Sequence, residues 1–198
     1  MLSQIRPAIV LLLLMTVLTG LAYPLAVTGI AAILLPHQAG GSLIERDGKV
    51  IGSALIGQNF SDPKYFHGRP SATTDTDPND PSKTIAAPYN AANSGGSNAG
   101  PTSKALIERV QADVAALREG NKAAIPVDLV TTSASGLDPD ITPAAAEFQV
   151  ARVAATRNLS IERVRALVAQ VTEDRFLGIF GEPRVNVLKL NLALDALK

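Results

Sequence analysis

Residues 7–35 form an unbroken run of 29 positions without a charged side chain, bounded by Arg6 before it and by Pro36 and His37 after it. A helix rises about 1.5 Å per residue, so the run reaches roughly 43 Å, more than the roughly 30 Å hydrocarbon core of a bilayer. The sequence therefore predicts a single transmembrane helix over residues 7–35. A secretory signal peptide is the alternative, but its apolar stretch is only about 7 to 15 residues long and ends at a small-residue cleavage site.

Two features of the apolar run bear on its packing. Pro24 leaves the carbonyl of Gly20 without its helical donor, so we expect a kink there. Ala22, Ala26 and Gly29 follow one another at i, i+4 and i+7, which creates a face of small residues that another helix could approach closely. Because small residues are common in any apolar helix, contact with a partner helix at this face is a hypothesis.

The distribution of charge separates the run from the rest of the chain. All 18 Asp and Glu residues and 17 of the 18 Lys and Arg residues lie beyond His37, which predicts a soluble domain over residues 36–198. Positive charges near the two ends of the run almost balance, so they leave its orientation open. Since Arg6 directly abuts the run, we favour a cytoplasmic start over residues 1–6 and an extracytoplasmic domain. The absence of cysteine fits either compartment.

Composition argues against two classes of function. The soluble part has 17 basic and 18 acidic residues and no basic stripe, so nucleic acid is a poor candidate partner. The chain has only eight Phe and Tyr residues and no Trp, which leaves no visible platform on which bases could stack. Two histidines and no cysteine also disfavour a structural zinc site.

Two short strings begin like ligand-binding loops and then depart from the pattern. Residues 75–80 start like a calcium loop, but its sixth and twelfth positions hold Asp80 and Ala86 in place of Gly and Glu, so we interpret them as a solvated loop. Residues 94–102 have the glycines of a phosphate-binding loop, yet Pro101 stands where the lysine belongs. A glycine-rich turn before a helix explains this string without a ligand.

The remaining pattern predicts an α+β domain. Asp47-Gly48 between residues 43–46 and 49–56 indicates a β-hairpin. Strands and helices do not alternate regularly, which favours an α+β domain over a doubly wound sheet. The predicted helices cover residues 101–119, 143–157 with Thr142 as N-cap, and 161–172 with Ser160 as N-cap. The predicted strands cover residues 126–131 and 185–187. Asn191 is predicted to cap a short C-terminal helix.

Residues 71–101 are rich in Ser, Asn, Gly and Pro and offer little apolar surface to bury. Such a segment is expected to be either disordered or a long structured loop.

A catalytic interpretation rests on weak signals. Residues 133–136 lack the first glycine of a nucleophile elbow, and prolines interrupt the helix that should follow. A membrane-anchored extracytoplasmic hydrolase that uses Ser133 or Ser135 with His67 stays open as the alternative function. However, residues 64–70 are more typical of a surface turn.

Gln149 and Arg152 lie three positions apart on a predicted helix, so they could present an amide and a guanidinium to one partner. Alternatively, both are ordinary exposed residues that cover Phe148, Val150 and Val153. Periodicity alone favours this second interpretation.

Several strings that occur in order along the chain resemble one family, the C chain of the Kdp-type potassium-transporting ATPase, a bacterial high-affinity potassium uptake complex. Each string is weak alone, but their order after a single amino-terminal anchor is specific. The strings are Arg6-Pro7-Ala8, Gly57-Gln58-Asn59-Phe60, residues 65–71, residues 94–101, residues 133–139, residues 149–154, Val185-Asn186-Val187 and Leu190-Asn191.

The resemblance implies an accessory, non-catalytic subunit in the bacterial inner membrane, beside a potassium-conducting subunit and a P-type ATP-hydrolysing subunit, with its soluble domain on the periplasmic side. It also implies a role as a catalytic chaperone that raises the affinity of the pump for ATP, with Gln149 aligned to a glutamine assigned to nucleotide contact. No tightly bound cofactor is expected, and ATP would act through the complex. The chain has no Asp-Lys-Thr-Gly-Thr motif and only one span, so we expect it neither to hydrolyse ATP by that route nor to conduct ions alone.

The two implications conflict, because cytoplasmic ATP could not reach Gln149 in an external domain. We therefore rank stabilisation of the assembly, or shaping of ion entry near the conducting subunit, above nucleotide binding.

Overall fold

The apolar run forms one long helix. The computed structural model describes residues 2–197 and divides into two compact units, one that ends at Ile51 and one that begins at Gly52. In the first unit a helix of 30 residues, Ile5–Leu34, is long and apolar enough to cross a membrane, and its side chains are not buried within the structure. The prediction of an amino-terminal apolar helix that is a candidate membrane span is confirmed. The helix consists of α1 (Ile5–Val17), a π-helical turn (Leu18–Ala22) and α2 (Tyr23–Leu34).

Near Pro24, where a kink is expected, the structure has a π-helical turn just before the proline. Proline has no N–H, and its ring crowds the carbonyl one turn earlier. The N–H of Tyr23 bonds to the carbonyl of Leu18, five residues earlier, instead of four. A wider turn of this kind is a common way to relieve a break in the hydrogen-bond ladder of a helix. The hydroxyl of Thr19 donates to the carbonyl of Met15 at 2.7 Å, so this polar group is also satisfied within the helix.

A short helix, α3 (Pro36–Ala39), and a two-stranded hairpin follow. The strands are β1 (Leu43–Arg46) and β2 (Lys49–Ser53). Asp47 and Gly48 both have positive φ angles, 53° and 74°, as a two-residue turn between twisted strands requires. The predicted hairpin is confirmed, although its second strand ends three residues earlier than expected.

The second unit is a mixed α+β domain, as predicted. Its elements are β3 (Thr74–Asp77), β4 (Asp80–Ala86), α4 (Lys104–Arg118), a 3-10 turn (Val127–Leu129), β5 (Asp140–Ile141), α5 (Pro143–Arg157), α6 (Ile161–Val171), β6 (Thr172–Glu173), β7 (Arg184–Asn186) and α7 (Val187–Ala196). The central sheet has the order β5-β7-β6 with antiparallel neighbours. The core packs α5, α6 and α7 with this sheet and with the ring of Phe66.

The helix boundaries follow the predicted capping residues. The hydroxyl of Thr142 accepts the N–H of Ala145 at 3.0 Å, and that of Ser160 accepts the N–H of Arg163 at 3.2 Å. Each bond satisfies one of the free N–H groups at the start of a helix. Asn158 ends α5 in the left-handed conformation, with φ 54°. Both capping predictions are confirmed.

Residues 126–131 contain a 3-10 turn, Val127–Leu129, in place of the predicted strand. The carboxylate of Asp128 is buried, where it accepts the N–H of Thr142 at 2.8 Å and its hydroxyl at 3.2 Å. A buried carboxylate needs such donors. This contact between distant residues therefore overrides the local β-branched composition.

Residues 71–101 contain an antiparallel hairpin that the composition did not reveal. β3 pairs with β4, and the register shifts between Thr76 and Asp77. The side chain of Thr73 donates to the carbonyl of Ala87 at 2.6 Å, which closes the base of the hairpin. Residues 75–80 are mostly exposed to solvent, as expected, but the prediction of a loop is wrong, since they form the outer end of this hairpin.

Candidate functional site

Residues 62–70, which we call the docked segment, form no regular strand or helix but are held against α5 and α7. Phe66 is fully buried in the core. The interpretation of residues 64–70 as a surface turn is therefore wrong. A buried backbone still needs partners for its N–H and C=O groups, and here side chains provide them.

Asn191 supplies both partners for Phe66. Its Oδ1 accepts the N–H of Phe66 at 2.9 Å, and its Nδ2 donates to the carbonyl of the same residue at 2.9 Å. A neighbouring antiparallel strand would make the same pair of bonds. Asn191 is buried in the middle of α7, so its prediction as a helix cap is wrong. The cap is Asn186, whose side chain accepts the N–H of Lys189 at 3.0 Å.

Gln149 holds the next residue in the same way. Its Oε1 accepts the N–H of His67 at 2.8 Å, and its Nε2 donates to the carbonyl of His67 at 3.1 Å and to that of Ala145 at 3.2 Å. Oε1 also accepts from Arg152 at 2.7 Å. These contacts use all four hydrogen-bonding positions of the amide, and only 3% of the residue is exposed. We refer to Gln149 and Asn191 as the amide pair.

Arg152 binds the amino-terminal half of the docked segment. Its guanidinium donates to the carbonyls of Pro63 and Tyr65, the latter at 3.0 Å. Burial lowers the pKa of Arg152. Gln149 and Arg152 thus do meet one partner, and it is a segment of their own chain; the alternative that they are ordinary exposed residues is wrong for Gln149.

A second arginine on α5 reinforces this contact. Arg157 donates to the carbonyl of Lys64 at 2.8 Å and forms an ion pair with Asp195 at 2.7 Å. Its guanidinium lies 4.8 Å from the ring centroid of Tyr65, whose hydroxyl lies 3.1 Å from the carboxylate of Asp195. The segment is therefore fixed from both helices at once.

His67 is held by its backbone, whereas its ring packs at the edge of the site. Nε2 lies 3.1 Å from the carbonyl oxygen of Asp62. Burial lowers the pKa of His67, and the nearby cation of Arg152 lowers it further. The net effect favours the neutral form of the imidazole.

The carboxyl end of the docked segment is fixed by Arg69. Its guanidinium pairs with Asp138 at 2.9 Å and donates to the carbonyl of Thr132 at 3.3 Å. The hydroxyl of Tyr89 donates to the carbonyl of Arg69 at 2.7 Å, and burial raises the pKa of Tyr89 to about 12. Gly68 permits this approach, because a Cβ there would lie 2.3 Å from the Tyr89 oxygen.

An open pocket of about 640 Å³ lies beside Arg69 and includes Ser133 and Ser135 in its lining. The hydroxyl of Ser135 accepts the N–H of Leu137 at 3.1 Å. Among the contacts of residues 2–197 none joins either serine to His67, which does not line this pocket. The structure therefore does not assemble the serine and histidine of the hydrolase alternative.

The glycine-rich string packs against the same serine region. The N–H of Gly95 donates to the carbonyl of Ser135 at 2.9 Å, and the hydroxyl of Ser94 donates to that oxygen at 3.0 Å. A Cβ at Gly96 would lie 2.9 Å from the carbonyl oxygen of Ala134. Close approach of two backbone segments thus accounts for Gly96, whereas a Cβ at Gly95 would meet nothing within 4 Å.

The predicted site residues lie in different parts of the structure. Gln149 lies in the core of the second unit, whereas Ala22, Ala26 and Gly29 lie exposed on the apolar helix. Their roles in nucleotide binding and in partner-helix contact stay predictions. In the part of the chain that the structure describes, no group of three or more His, Asp and Glu side chains could hold a metal ion.

Sequence reasoning assigned Asn191 to a helix cap and missed its contact with Phe66. One signal was present: Asn191 is the one polar residue among residues 190–194, which are otherwise apolar. A polar side chain on such a helix needs a buried partner.

Replacing either amide by alanine should destabilise the second unit. Gln149→Ala and Asn191→Ala each leave a backbone N–H and a carbonyl unpaired, so we expect the free energy of unfolding to fall by about 2 to 4 kcal/mol. Gln170→Ala, which removes an exposed glutamine of α6, should change it by less than about 0.5 kcal/mol. Urea unfolding of the full chain in mild detergent measures all three. Equal stabilities of the Gln149 and Gln170 variants would contradict the structural role of the amide.

Comparison with known proteins gives a consistent result over the whole chain. The family model described as KdpC, K+-transporting ATPase, c chain, matches residues 5–196. A potassium-transporting ATPase KdpC subunit of Bradyrhizobium diazoefficiens is 70% identical over 196 residues, 98% of each chain. Proteins of the same name from Rhodopseudomonas palustris and Methylobacterium nodulans are 69% and 66% identical; they cover 100% of this chain, and this chain covers 100% and 98% of them. The chain therefore belongs to the KdpC family, the C chain of the K+-transporting ATPase.

Proposed function

We propose that this chain is the accessory, non-catalytic subunit of a high-affinity, ATP-driven potassium uptake complex in the bacterial inner membrane. It assembles or stabilises a potassium-conducting subunit and a P-type ATP-hydrolysing subunit. The observation that carries the proposal is the match to potassium-transporting ATPase KdpC subunits along 98% of the chain, the amino-terminal helix included. A protein fragment similar only in its soluble part would not support a role in a membrane complex to the same degree.

The apolar helix supports assembly through its small-residue face. Ala26 and Gly29 lie in α2, and Ala22 is the last residue of the π-helical turn before it. A Cβ added at Gly29 would meet nothing within 4 Å, so this face is open to another helix. Close backbone approach is what stabilises helix pairs in lipid, where apolar side chains gain nothing by leaving the solvent.

The soluble domain supports a scaffolding role. The docked segment, α5 and α7 are connected by the amide pair and by Arg152 and Arg157. Across residues 2–197 every buried side-chain nitrogen and oxygen has a hydrogen-bond partner. Such fully satisfied polar networks make a domain rigid, and a rigid domain can hold larger subunits in one arrangement.

The second element of the proposal is that the subunit raises the affinity of the pump for ATP, and that it does so only as part of the assembled complex. Direct contact between Gln149 and a nucleotide would require the amide to give up bonds to His67 and Arg152. It would also require the domain to be in the cytoplasm. We therefore infer that Gln149 acts through the docked segment and that the subunit influences nucleotide affinity indirectly.

The anchor face can be tested by a matched pair of substitutions. Ala26→Leu adds bulk to the small-residue face, whereas Ala31→Leu makes the same change about 140° away around the helix, at 100° per residue. We expect the first variant to lose most of the co-purifying large membrane subunits in mild detergent and the second to keep them. Potassium-stimulated ATPase activity of the purified material gives an independent measure. Equal recovery with both variants would argue against this face, and a consistently solitary wild-type chain would argue against the complex.

Topology can be tested with one cysteine, because the natural chain has none. Ser97 is exposed, so Ser97→Cys should react with a membrane-impermeant thiol reagent in intact spheroplasts if the domain is external. The expected result is equal labelling before and after lysis. Labelling only after lysis would place the domain in the cytoplasm and restore direct ATP contact as the leading mechanism.

The two amides distinguish direct from indirect effects on ATP. Both hold the docked segment, but the resemblance implies nucleotide contact for Gln149 alone. We expect Gln149→Ala and Asn191→Ala to lower the yield of intact complex similarly and to leave the KM for ATP of the intact complex equal within about twofold. A raised KM in the Gln149 variant alone would support direct contact, and it would be measured by potassium-stimulated ATPase activity at varied ATP concentration.

A further inference from the structure

The connection between β6 and β7 carries an exposed apolar turn, residues 176–180, which we call the apolar tip. Phe176, Leu177, Ile179 and Phe180 are between 62% and 74% exposed. Scattered apolar residues are normal on a protein surface, but several adjacent large ones mark a surface that contacts something else. The core and the docked segment make no use of these side chains.

The apolar tip is an ordered turn. Phe176 and Phe180 exchange two backbone hydrogen bonds, of 2.9 and 3.0 Å, and the N–H of Gly178 donates to the carbonyl of Arg175 at 3.0 Å. Leu177 has a φ of 54°, a conformation that bulky residues rarely adopt. The turn thus holds its apolar side chains outward at a conformational cost to Leu177.

The chemistry of the tip fits the boundary between lipid headgroups and acyl chains. Residues 176–180 carry no charge, and the flanking Arg175 and Glu182 are paired with each other at 2.6 Å. Backbone groups that enter an apolar medium must be hydrogen-bonded within the protein. In the tip, the N–H groups of Phe176, Gly178, Ile179 and Phe180 all donate to backbone carbonyls of the same turn. A small convex group of apolar side chains needs no matching cavity in a fluid bilayer.

The short connection to the apolar helix limits how far the second unit can lie from a bilayer that the helix crosses. β7 follows the tip, beginning at Arg184 and ending at Asn186. The Nδ2 of Asn186 donates to the carbonyl of Ala54 at 2.9 Å, close to where the second unit begins. The apolar helix ends at Leu34, 18 residues before Gly52. This connection spans at most about 60 Å even when fully extended.

From these observations we propose that residues 176–180 form a second membrane contact, in which the apolar tip inserts into the lipid interface while the helix anchors the chain. The contact would hold the soluble domain at a fixed distance from the surface. The inference rests on the membrane anchoring in the proposed function, and it adds a lipid partner for the domain itself.

The test uses the lack of tryptophan in the chain. Leu177→Trp places one reporter in the tip, with Ile179→Trp as a second independent variant. Val127→Trp is the control at an exposed site elsewhere in the domain, since Val127 is 69% exposed, and Val17→Trp reports on the anchor helix. Each full chain is reconstituted into vesicles of phosphatidylcholine and phosphatidylglycerol, with and without bromine on the acyl chains.

We expect the reporter at position 177 to have blue-shifted emission and to be quenched by brominated lipid at least about twofold more than the reporter at position 127. Quenching at position 17 but equally weak quenching at positions 127 and 177 overturns the lipid contact and leaves the anchor intact. Absence of quenching at position 17 overturns the anchor and the inference together. A blue shift at position 177 that needs the other pump subunits and shows no bromine quenching overturns the lipid contact in favour of a protein partner.

Discussion

The second unit depends on one constraint, the need to satisfy a buried backbone that has no strand beside it. Phe66 occupies the core, and its own N–H and carbonyl enter with it. Each buried backbone group left unpaired would cost about 1 to 3 kcal/mol, a large fraction of the stability of a domain. Asn191 and Gln149 remove this cost for four groups in two consecutive residues. Because one amide comes from α7 and the other from α5, the docked segment can be held only when both helices are in place.

The arginines of α5 extend this dependence to the carbonyls that precede Phe66. Arg157 has a carboxylate partner in Asp195, whereas the contacts of Arg152 within the described residues are to carbonyl and amide oxygens. A partly buried cation that relies on neutral dipoles is stable only while those dipoles remain in position. The docked segment and Arg152 therefore stabilise each other, and loss of one exposes the other to an unfavourable environment.

The sequence predicts correctly those features of the structure, such as helix caps and tight turns, that depend on residues close together in the chain. The caps at Thr142 and Ser160 and the turn at Asp47-Gly48 act over two to four residues, and their positions in the structure are as predicted. The apolar helix was equally clear, since its length alone decides it. The predictions that failed concern conformations that depend on partners at least 14 residues away in the sequence, those of residues 126–131, residues 64–70 and Asn191. The amide of Asn191 could have capped a helix or paired with a distant backbone, and the local sequence does not distinguish the two.

The resemblance and the structure converge on the same residues for a physical reason. Residues 65–71, residues 149–154 and Leu190-Asn191 were separate strings in the sequence, yet they meet in the docked segment and its two helices. A glutamine in such a network acts on a distant site through the segments that it holds in place. Its amide could bind a ligand only by breaking the hydrogen bonds that hold those segments. Any change that loosens the docked segment should thus disturb the packing of α5 and α7 by the same route, whichever of the two amides is altered.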